Sequence, residues 1–257
     1  MMTTIHIHKD KNIGKILLVV EGERTEFYLL HKIFTQVFDY QYEKLDRMNR
    51  YQKYNDKDGI PSSIFVVNSE QSALSTVSNS NDYLDTLFER LIEEYKFPVD
   101  RAAIYYLFDR DVKSNTDARH IANLIRLLAN ARDNGMERQG LLLLSYPCIE
   151  SFTASAFIDD VFDQEFELGK QLKQYLDMCK HNQSRLDEAS LIHAVAEMSR
   201  AFAQLGIASY DLDHFSDTNL FIFERQELNY AANHKYRLLS LLCIMLLDLG
   251  LIELRKD

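Results

Sequence analysis

Two short apolar runs in this chain are each followed at once by acidic residues. The runs are residues 16–20 and 102–107, and the acids that follow them are Glu21 and Glu26, then Asp109 and Asp111. Short runs rich in β-branched and aromatic residues are typical of buried strands. Ligands of an open parallel sheet bind outside the carboxyl ends of its strands. We therefore expect these four acids to surround one crevice.

Carboxylates that lie close together repel one another unless a cation lies among them. Their hard oxygen atoms are the ligands that Mg²⁺ or Mn²⁺ prefers. The two acidic clusters therefore predict a metal site suited to phosphate chemistry.

The pattern up to about Tyr146 alternates between strand and helix. Strands are predicted at 15–20, 63–67, 102–108 and 141–144, and helices at 24–38, from about Asn81 or Asp82, and from a cap at Thr116 towards Gly135. Strands that alternate with helices of this length predict an α/β fold, with a parallel sheet flanked by helices and right-handed crossovers. We assign residues 1–146 to this α/β domain.

The pattern changes after Pro147, where helical periodicity dominates. Helices are predicted at 152–162, 168–179, 186–205 and 228–253, so residues 147–257 are expected to form a helical subdomain. The apolar stretch 238–252 is interrupted by Ser240, Asp248 and Gly250. It falls short of the roughly 18 uninterrupted apolar residues of a membrane span, and a buried C-terminal helix is predicted instead.

Residues 39–62 fit neither half, because they are polar and lack clear periodicity. They mix five basic residues with four tyrosines: Lys44, Arg47, Arg50, Lys53 and Lys57 with Tyr40, Tyr42, Tyr51 and Tyr54. Basic residues interleaved with aromatic ones suit single-stranded nucleic acid. A solvated extension of the preceding helix with an ordinary insertion explains the same composition, and both interpretations stay open.

Composition limits where the chain works and how it holds a partner. The formal net charge is −10, which is unusual for a protein that grips nucleic acid by itself, so a local basic patch or a partner subunit is expected to help. Cys148, Cys179 and Cys243 are odd in number and lack metal-like spacing. With no apolar segment of signal-peptide length at the start, they favour a reducing cytoplasm and no membrane partner.

The order of the motifs resembles the Toprim domain of topoisomerases, primases and overcoming-lysogenization-defect nucleases. The likeness covers residues 15–150 and rests on Glu-Gly after the first strand and Asp-x-Asp after the third. The finer match is with the RloB-like, abortive-infection branch. It rests on Glu21-Gly22-Glu23-Arg24-Thr25-Glu26, Phe108-Asp109-Arg110-Asp111 and Ser145-Tyr146-Pro147-Cys148-Ile149-Glu150. This chain departs from that branch at Tyr146 and Ile149, where the branch tends to have Asn and Phe.

The resemblance implies a Mg²⁺- or Mn²⁺-dependent nuclease, favouring DNA, in a phage-defence or restriction-linked system. Such proteins often act beside an ATPase encoded with them, and an oligomer is possible. On this hypothesis Glu21, Asp109 and Asp111 bind metal, Glu26 shares one ion, and Glu150 binds or orients a second. Gly22 lets the backbone pass close to metal or phosphate. Ser145 holds a ligand water and Lys113 contacts phosphate.

Other interpretations of the acidic clusters stay open. The same fold can serve as a regulatory or partner-gated subunit that binds metal or nucleotide without cutting. Haloacid-dehalogenase phosphatases also place Asp-x-Asp at a strand end, but the early Glu-Gly and the order of elements do not suit them. A topoisomerase or primase is disfavoured because the chain lacks companion domains and zinc cysteines.

Overall fold

The structure is a computed structural model of the chain. It describes residues 3–45, 48–54, 61–69, 81–98, 101–113, 115–132 and 140–256.

Strands and helices alternate through the first part of the chain. In order they are β1 (Thr3–Ile7), β2 (Lys15–Val20), α1 (Thr25–Lys32), β3 (Gln41–Lys44), β4 (Met48–Lys53), β5 (Ser62–Asn68), α2 (Asn81–Glu93), β6 (Ala103–Asp109), α3 (Ala118–Leu127) and β7 (Leu141–Tyr146). A π-helical turn, Ile33–Val37, continues α1.

The rest of the chain is mostly helical but also contains short strands. In order the elements are α4 (Glu150–Phe157), β8 (Glu165–Phe166), α5 (Gly169–Met178), α6 (Glu188–Gln204), α7 (Phe215–Asn233), β9 (Tyr236–Arg237), β10 (Leu239–Ser240), α8 (Leu242–Asp248) and β11 (Ile252–Lys256). Short 3₁₀ turns, Val161–Asp163 and Gln183–Arg185, lie between them.

A mixed seven-stranded sheet forms the centre of the molecule, in the order β10-β7-β6-β2-β5-β4-β3. Its four middle strands, β7, β6, β2 and β5, are parallel. β2, β6 and β7 are almost entirely buried, as expected when helices cover both faces of a parallel sheet. The predicted α/β fold with flanking helices is thus confirmed. The predicted parallel pairing holds for the four middle strands, whereas at the edges β10 and the β3–β4 hairpin run antiparallel.

Within the segment 39–62, β3 and β4 form that hairpin, so the interpretation as a solvated extension of the preceding helix with an ordinary insertion is wrong. Tyr40 and Tyr51 are buried and pack against Phe34, which leaves their rings covered by the protein. The Lys53 ammonium donates to the carbonyl oxygens of Lys9 and Phe38 at 2.8 and 2.9 Å. The proposed nucleic-acid surface therefore loses two of its rings to the core. Arg47 and Lys57 lie outside the described residues.

The predicted helix at 228–253 is also wrong. The helix α7 ends where His234 adopts a left-handed conformation, and two short strands, a short helix and β11 follow. Gly250, with φ of +66°, ends the turn after α8. A short apolar run of this kind does not distinguish a buried strand from a buried helix, which is why the pattern misled.

The helix α3 begins at a different cap from the predicted one. The cap of α3 is Asp117 and not Thr116, because the Asp117 carboxylate accepts the N–H groups of Arg119 and His120. Gly135, predicted to follow this helix, lies outside the described residues.

Residues after 147 also contribute to strands shared with the first part of the chain. β10 extends the central sheet beside β7, and β11 pairs with β1 in a separate two-stranded sheet. The division into 1–146 and 147–257 stays a prediction.

Candidate metal centre

Three neighbouring strand ends are joined through carboxylates at the carboxyl edge of the sheet. Glu21 follows β2 and Asp109 ends β6, and these two strands are paired. The Asp109 N–H donates to Glu21 Oε2 at 2.9 Å. Asp109 Oδ1 in turn accepts the N–H of Ile149, beyond the end of β7, at 2.7 Å. The structure therefore brings Glu21 and Asp109 together at this edge of the sheet.

Two further acids reach this edge from the first turns of helices. Glu26 lies in the first turn of α1 and Glu150 in the first turn of α4, and both are buried. Helix N-termini favour negative charge, which offsets part of the cost of burying them. Glu150 Oε1 pairs with the Lys173 ammonium of α5 at 3.1 Å. Glu150 Oε2 is buried and has no hydrogen-bond partner among the described residues.

Gly22 leaves room for one of these carboxylates. A Cβ atom built on Gly22 lies 2.8 Å from Glu26 Oε2, which is closer than such atoms approach in proteins. The missing side chain therefore lets the Glu26 carboxylate approach the backbone beyond β2. This observation gives the glycine of the Glu-Gly motif a steric reason.

The other predicted residues lie around the same edge with different contacts. Asp111 Oδ1 accepts the N–H of Lys113 at 3.0 Å, while the Lys113 side chain is exposed. The hydroxyl groups of Ser145 and Ser240 are hydrogen-bonded at 2.8 Å. The metal role of Asp111, the ligand-water role of Ser145 and the phosphate role of Lys113 stay predictions.

The carboxylates share one electrostatic environment. Burial, then the charges of Glu26 and Asp111, raises the pKa of Glu21 from 4.5 to about 7. Burial and the charges of Glu21, Glu150 and Glu26 raise the pKa of Asp109 well above its usual range. Burial and Glu150 likewise raise the pKa of Glu26. Each raised pKa expresses the cost of holding negative charge here without a counterion.

This arrangement fits a divalent cation. Ligand atoms of Asp109, Cys148 and Glu150 all lie within 4.8 Å of one another. Burial, with Glu150 and Asp109 nearby, raises the pKa of the Cys148 thiol, so the neutral sulfur is a poor ligand and oxygen ligands dominate. Hard oxygen atoms and an unpartnered carboxylate oxygen suit Mg²⁺ or Mn²⁺.

Lys173 is a residue of this site that the sequence did not reveal. Its charge lowers the pKa of Glu21 and of Glu26, and it pairs directly with Glu150. It lies 23 positions after Glu150, on a different helix, and no local motif marks it. Only the packing of α5 against α4 brings the two together.

Arg110, between the two aspartates of the Asp-x-Asp motif, is a second residue whose role the sequence did not indicate. Its guanidinium is 2% exposed and makes two hydrogen bonds to the Glu227 carboxylate, at 2.8 and 2.9 Å. A third bond runs to the carbonyl oxygen of Asn115 at 2.8 Å. This buried ion pair anchors the segment that carries Asp109 and Asp111 to α7.

A second acidic group at Asp159, His193 and Glu197 is less suited to a metal ion. Both ring nitrogens of His193 already have partners, at Ser155 O and Asp159 Oδ1. Glu197 Oε2 accepts the N–H of Val161 at 2.9 Å, and Glu197 Oε1 pairs with Arg200. The protein itself thus satisfies these ligand atoms.

Comparison with known proteins finds no family, curated sequence or solved structure that matches this chain. Within the described residues, no helix is both long and apolar enough to cross a membrane.

Proposed function

We propose that this chain is a Toprim-like nuclease that cleaves nucleic-acid phosphodiesters, DNA in preference, with Mg²⁺ or Mn²⁺. The observation that carries the proposal is that ligand oxygens of Asp109 and Glu150 lie within 4.8 Å of one another at the carboxyl edge of the sheet, with Glu21 and Glu26 close enough to raise the pKa of Asp109. Carboxylates placed so that they raise one another's pKa are costly without a cation. A cation centre at the carboxyl edge of an α/β sheet is where phosphate chemistry is expected.

Glu21, Asp109 and Glu150 would hold the cation, with Glu26 and Asp111 completing its surroundings. A bound divalent cation polarises a phosphoryl oxygen and stabilises the charge that develops there. The protein's part is to keep these oxygens in place, through the N–H groups of Asp109 and Ile149. Lys173 orients Glu150 and adds a positive charge where a phosphate would arrive.

The biological setting of the proposal comes from the resemblance of the three motifs. A Toprim-like nuclease of the RloB-like kind would act in the cytoplasm in antiviral defence, beside an ATPase partner. The site supports the metal chemistry of this proposal, whereas the setting rests on the motifs.

A partner-gated or regulatory subunit is the second candidate function. The balance of acidic and basic side chains favours it. The net charge is −10, and the guanidinium of Arg110 and the ammonium of Lys53 are engaged within the protein. Phosphate neutralisation needs lysine and arginine. A partner that supplies them would both grip the nucleic acid and control cutting.

The test incubates the full chain with supercoiled plasmid, linear DNA and RNA, with Mg²⁺ or Mn²⁺ and then with chelator. Asp109→Asn removes one charge but keeps an oxygen that accepts the Ile149 N–H. Glu224→Gln, at an exposed position of α7, is the matched control.

Metal-dependent cutting that falls at least 100-fold in Asp109→Asn, but not in Glu224→Gln, is the expected result. Cutting that persists in Asp109→Asn, or in chelator, would contradict the proposal. Metal binding without cutting of any substrate would favour the partner-gated subunit instead.

A further inference from the structure

A pocket of about 450 Å³ opens directly beside the carboxylates. Glu150 and Lys173 line it, so one wall of the pocket is shared with the candidate metal centre. Thr25, the residue before Glu26, also lines it. The volume falls within the roughly 300–1,000 Å³ of small-molecule sites.

Three buried polar atoms of the pocket lining have no hydrogen-bond partner among the described residues. They are Thr153 Oγ1, His181 Nδ1 and Glu150 Oε2. The Thr153 side chain is deeply buried on α4, with 2% exposure. Buried polar atoms in proteins are nearly always paired, and each exception calls for an explanation. Glu150 Oε2 is already assigned to the cation, and the other two atoms point to a polar ligand in this cavity that pairs with them.

The pocket also offers an aromatic surface. Tyr28 lines it and is 43% exposed, although it is a large aromatic side chain on a helix. The Lys32 ammonium lies 5.6 Å from the centre of its ring. The His181 ring is stacked on Phe157 at 5.4 Å with an interplanar angle of 8°, which holds it in place. An exposed ring beside polar atoms and a cation matches a nucleobase joined to a phosphate.

We propose that this pocket binds one nucleoside of the nucleic-acid strand, next to the phosphate that lies at the carboxylates. The base stacks on Tyr28, and its polar edge or the sugar pairs with Thr153 and His181. Lys173, at the shared wall, contacts the phosphate that links the pocket to the metal centre. The inference rests on the proposed nuclease function. It adds that a nucleoside held in the pocket positions the substrate at the carboxylates.

The test measures binding of deoxyadenosine 5′-monophosphate to the full chain by calorimetry, with Ca²⁺ in place of Mg²⁺ so that nothing is cut. Tyr28→Ala removes the ring, Tyr28→Phe keeps it, and Thr153→Val replaces the hydroxyl group with a methyl group. Leu228→Ala is the control, because Leu228 is a large exposed side chain on α7 that does not line the pocket. Circular dichroism verifies that every variant folds.

Tyr28→Ala is expected to weaken binding roughly tenfold, as for loss of one stacked base, while Tyr28→Phe and Leu228→Ala bind like the wild type. Thr153→Val is expected to weaken binding severalfold. If the wild type does not bind the nucleotide, or Tyr28→Ala binds it equally well, the pocket proposal is overturned, even if the protein cuts DNA. If the nucleotide binds through Tyr28 but no nucleic acid is cut, the pocket stands and the nuclease proposal fails.

A second measurement places the nucleoside relative to the cut. Single abasic positions are moved along a single-stranded oligonucleotide, and affinity is measured in Ca²⁺ with the wild type and with Tyr28→Ala. We expect a loss at one position with the wild type and no positional loss with Tyr28→Ala. Equal affinity for every abasic oligonucleotide would overturn the pocket proposal.

Discussion

Glu21→Gln should stabilise the metal-free protein, although it alters a residue of the proposed active site. The folded-state pKa of Glu21 is about 7, above the ordinary 4.5, so the folded protein holds this proton more tightly than the unfolded chain. Each pKa unit corresponds to about 1.4 kcal/mol, so the ionised carboxylate costs roughly 3 kcal/mol above pH 7. Glutamine removes this cost and keeps an oxygen for the Asp109 N–H.

The sign of the pH dependence follows from the raised pKa. Below about pH 4.5 the carboxyl is protonated in both the folded and the unfolded state, so Glu21→Gln gains nothing there. Between about pH 4.5 and 7 only the unfolded chain loses the proton, and the wild type loses stability as pH rises. The advantage of the variant should therefore grow across this window and level off above it.

Thermal unfolding in chelator, followed by circular dichroism at pH 5, 6, 7 and 8, measures the effect. For a chain of this size 1 kcal/mol shifts Tm by roughly 2–4 °C, so the variant should gain several degrees at pH 8. Saturating Mg²⁺ should reverse the order, because a bound cation stabilises the wild type more. A metal-free Glu21→Gln that is less stable than the wild type at pH 8, with Glu224→Gln unchanged, would refute the reasoning.

Three further predictions follow from the same contacts. Arg110→Met leaves Glu227 without its buried partner and should lower the free energy of unfolding, measured in urea titrations, by about 3 kcal/mol. Arg237→Met, at a half-exposed ion pair, is the control and should lower it by less than about 1 kcal/mol. Equal losses would contradict the anchoring role of Arg110. Gly22→Ala should displace the Glu26 carboxylate and weaken Mn²⁺ binding about tenfold with little change in Tm, and unchanged affinity would show that Glu26 does not share the ion. Lys173→Met removes a positive charge that lowers the pKa of Glu21 and Glu26. The pH at which Mn²⁺ binding reaches half its maximum should therefore move upward in calorimetric titrations. A shift to lower pH would contradict the electrostatic role of Lys173.

The central strands could be predicted because their sequence and burial agree. The runs at β2 and β6 are continuously apolar, as strands buried on both faces must be, and the acids after them mark the carboxyl edge. Glu21 and Asp109 therefore came together as expected. The motif that contains Glu150 was also found, because it follows the next parallel strand, β7.

Features that depend on packing between distant segments could not be predicted. The β3–β4 hairpin is polar on its exposed strand, and its Tyr51 is buried because the π-helical turn after α1 covers it. The stretch 238–252 is mostly apolar, so its pattern did not separate the strand at Leu239 from a helix. Lys173 and Glu227 reach the site from helices whose positions no local motif encodes.

Anomalous diffraction from crystals grown with Mn²⁺ tests the metal centre most directly. The account predicts a peak among the carboxylates of Glu21, Asp109 and Glu150, which is lost in Asp109→Asn. A map without a peak there, or with its only peak at Asp159, His193 and Glu197, would contradict the account.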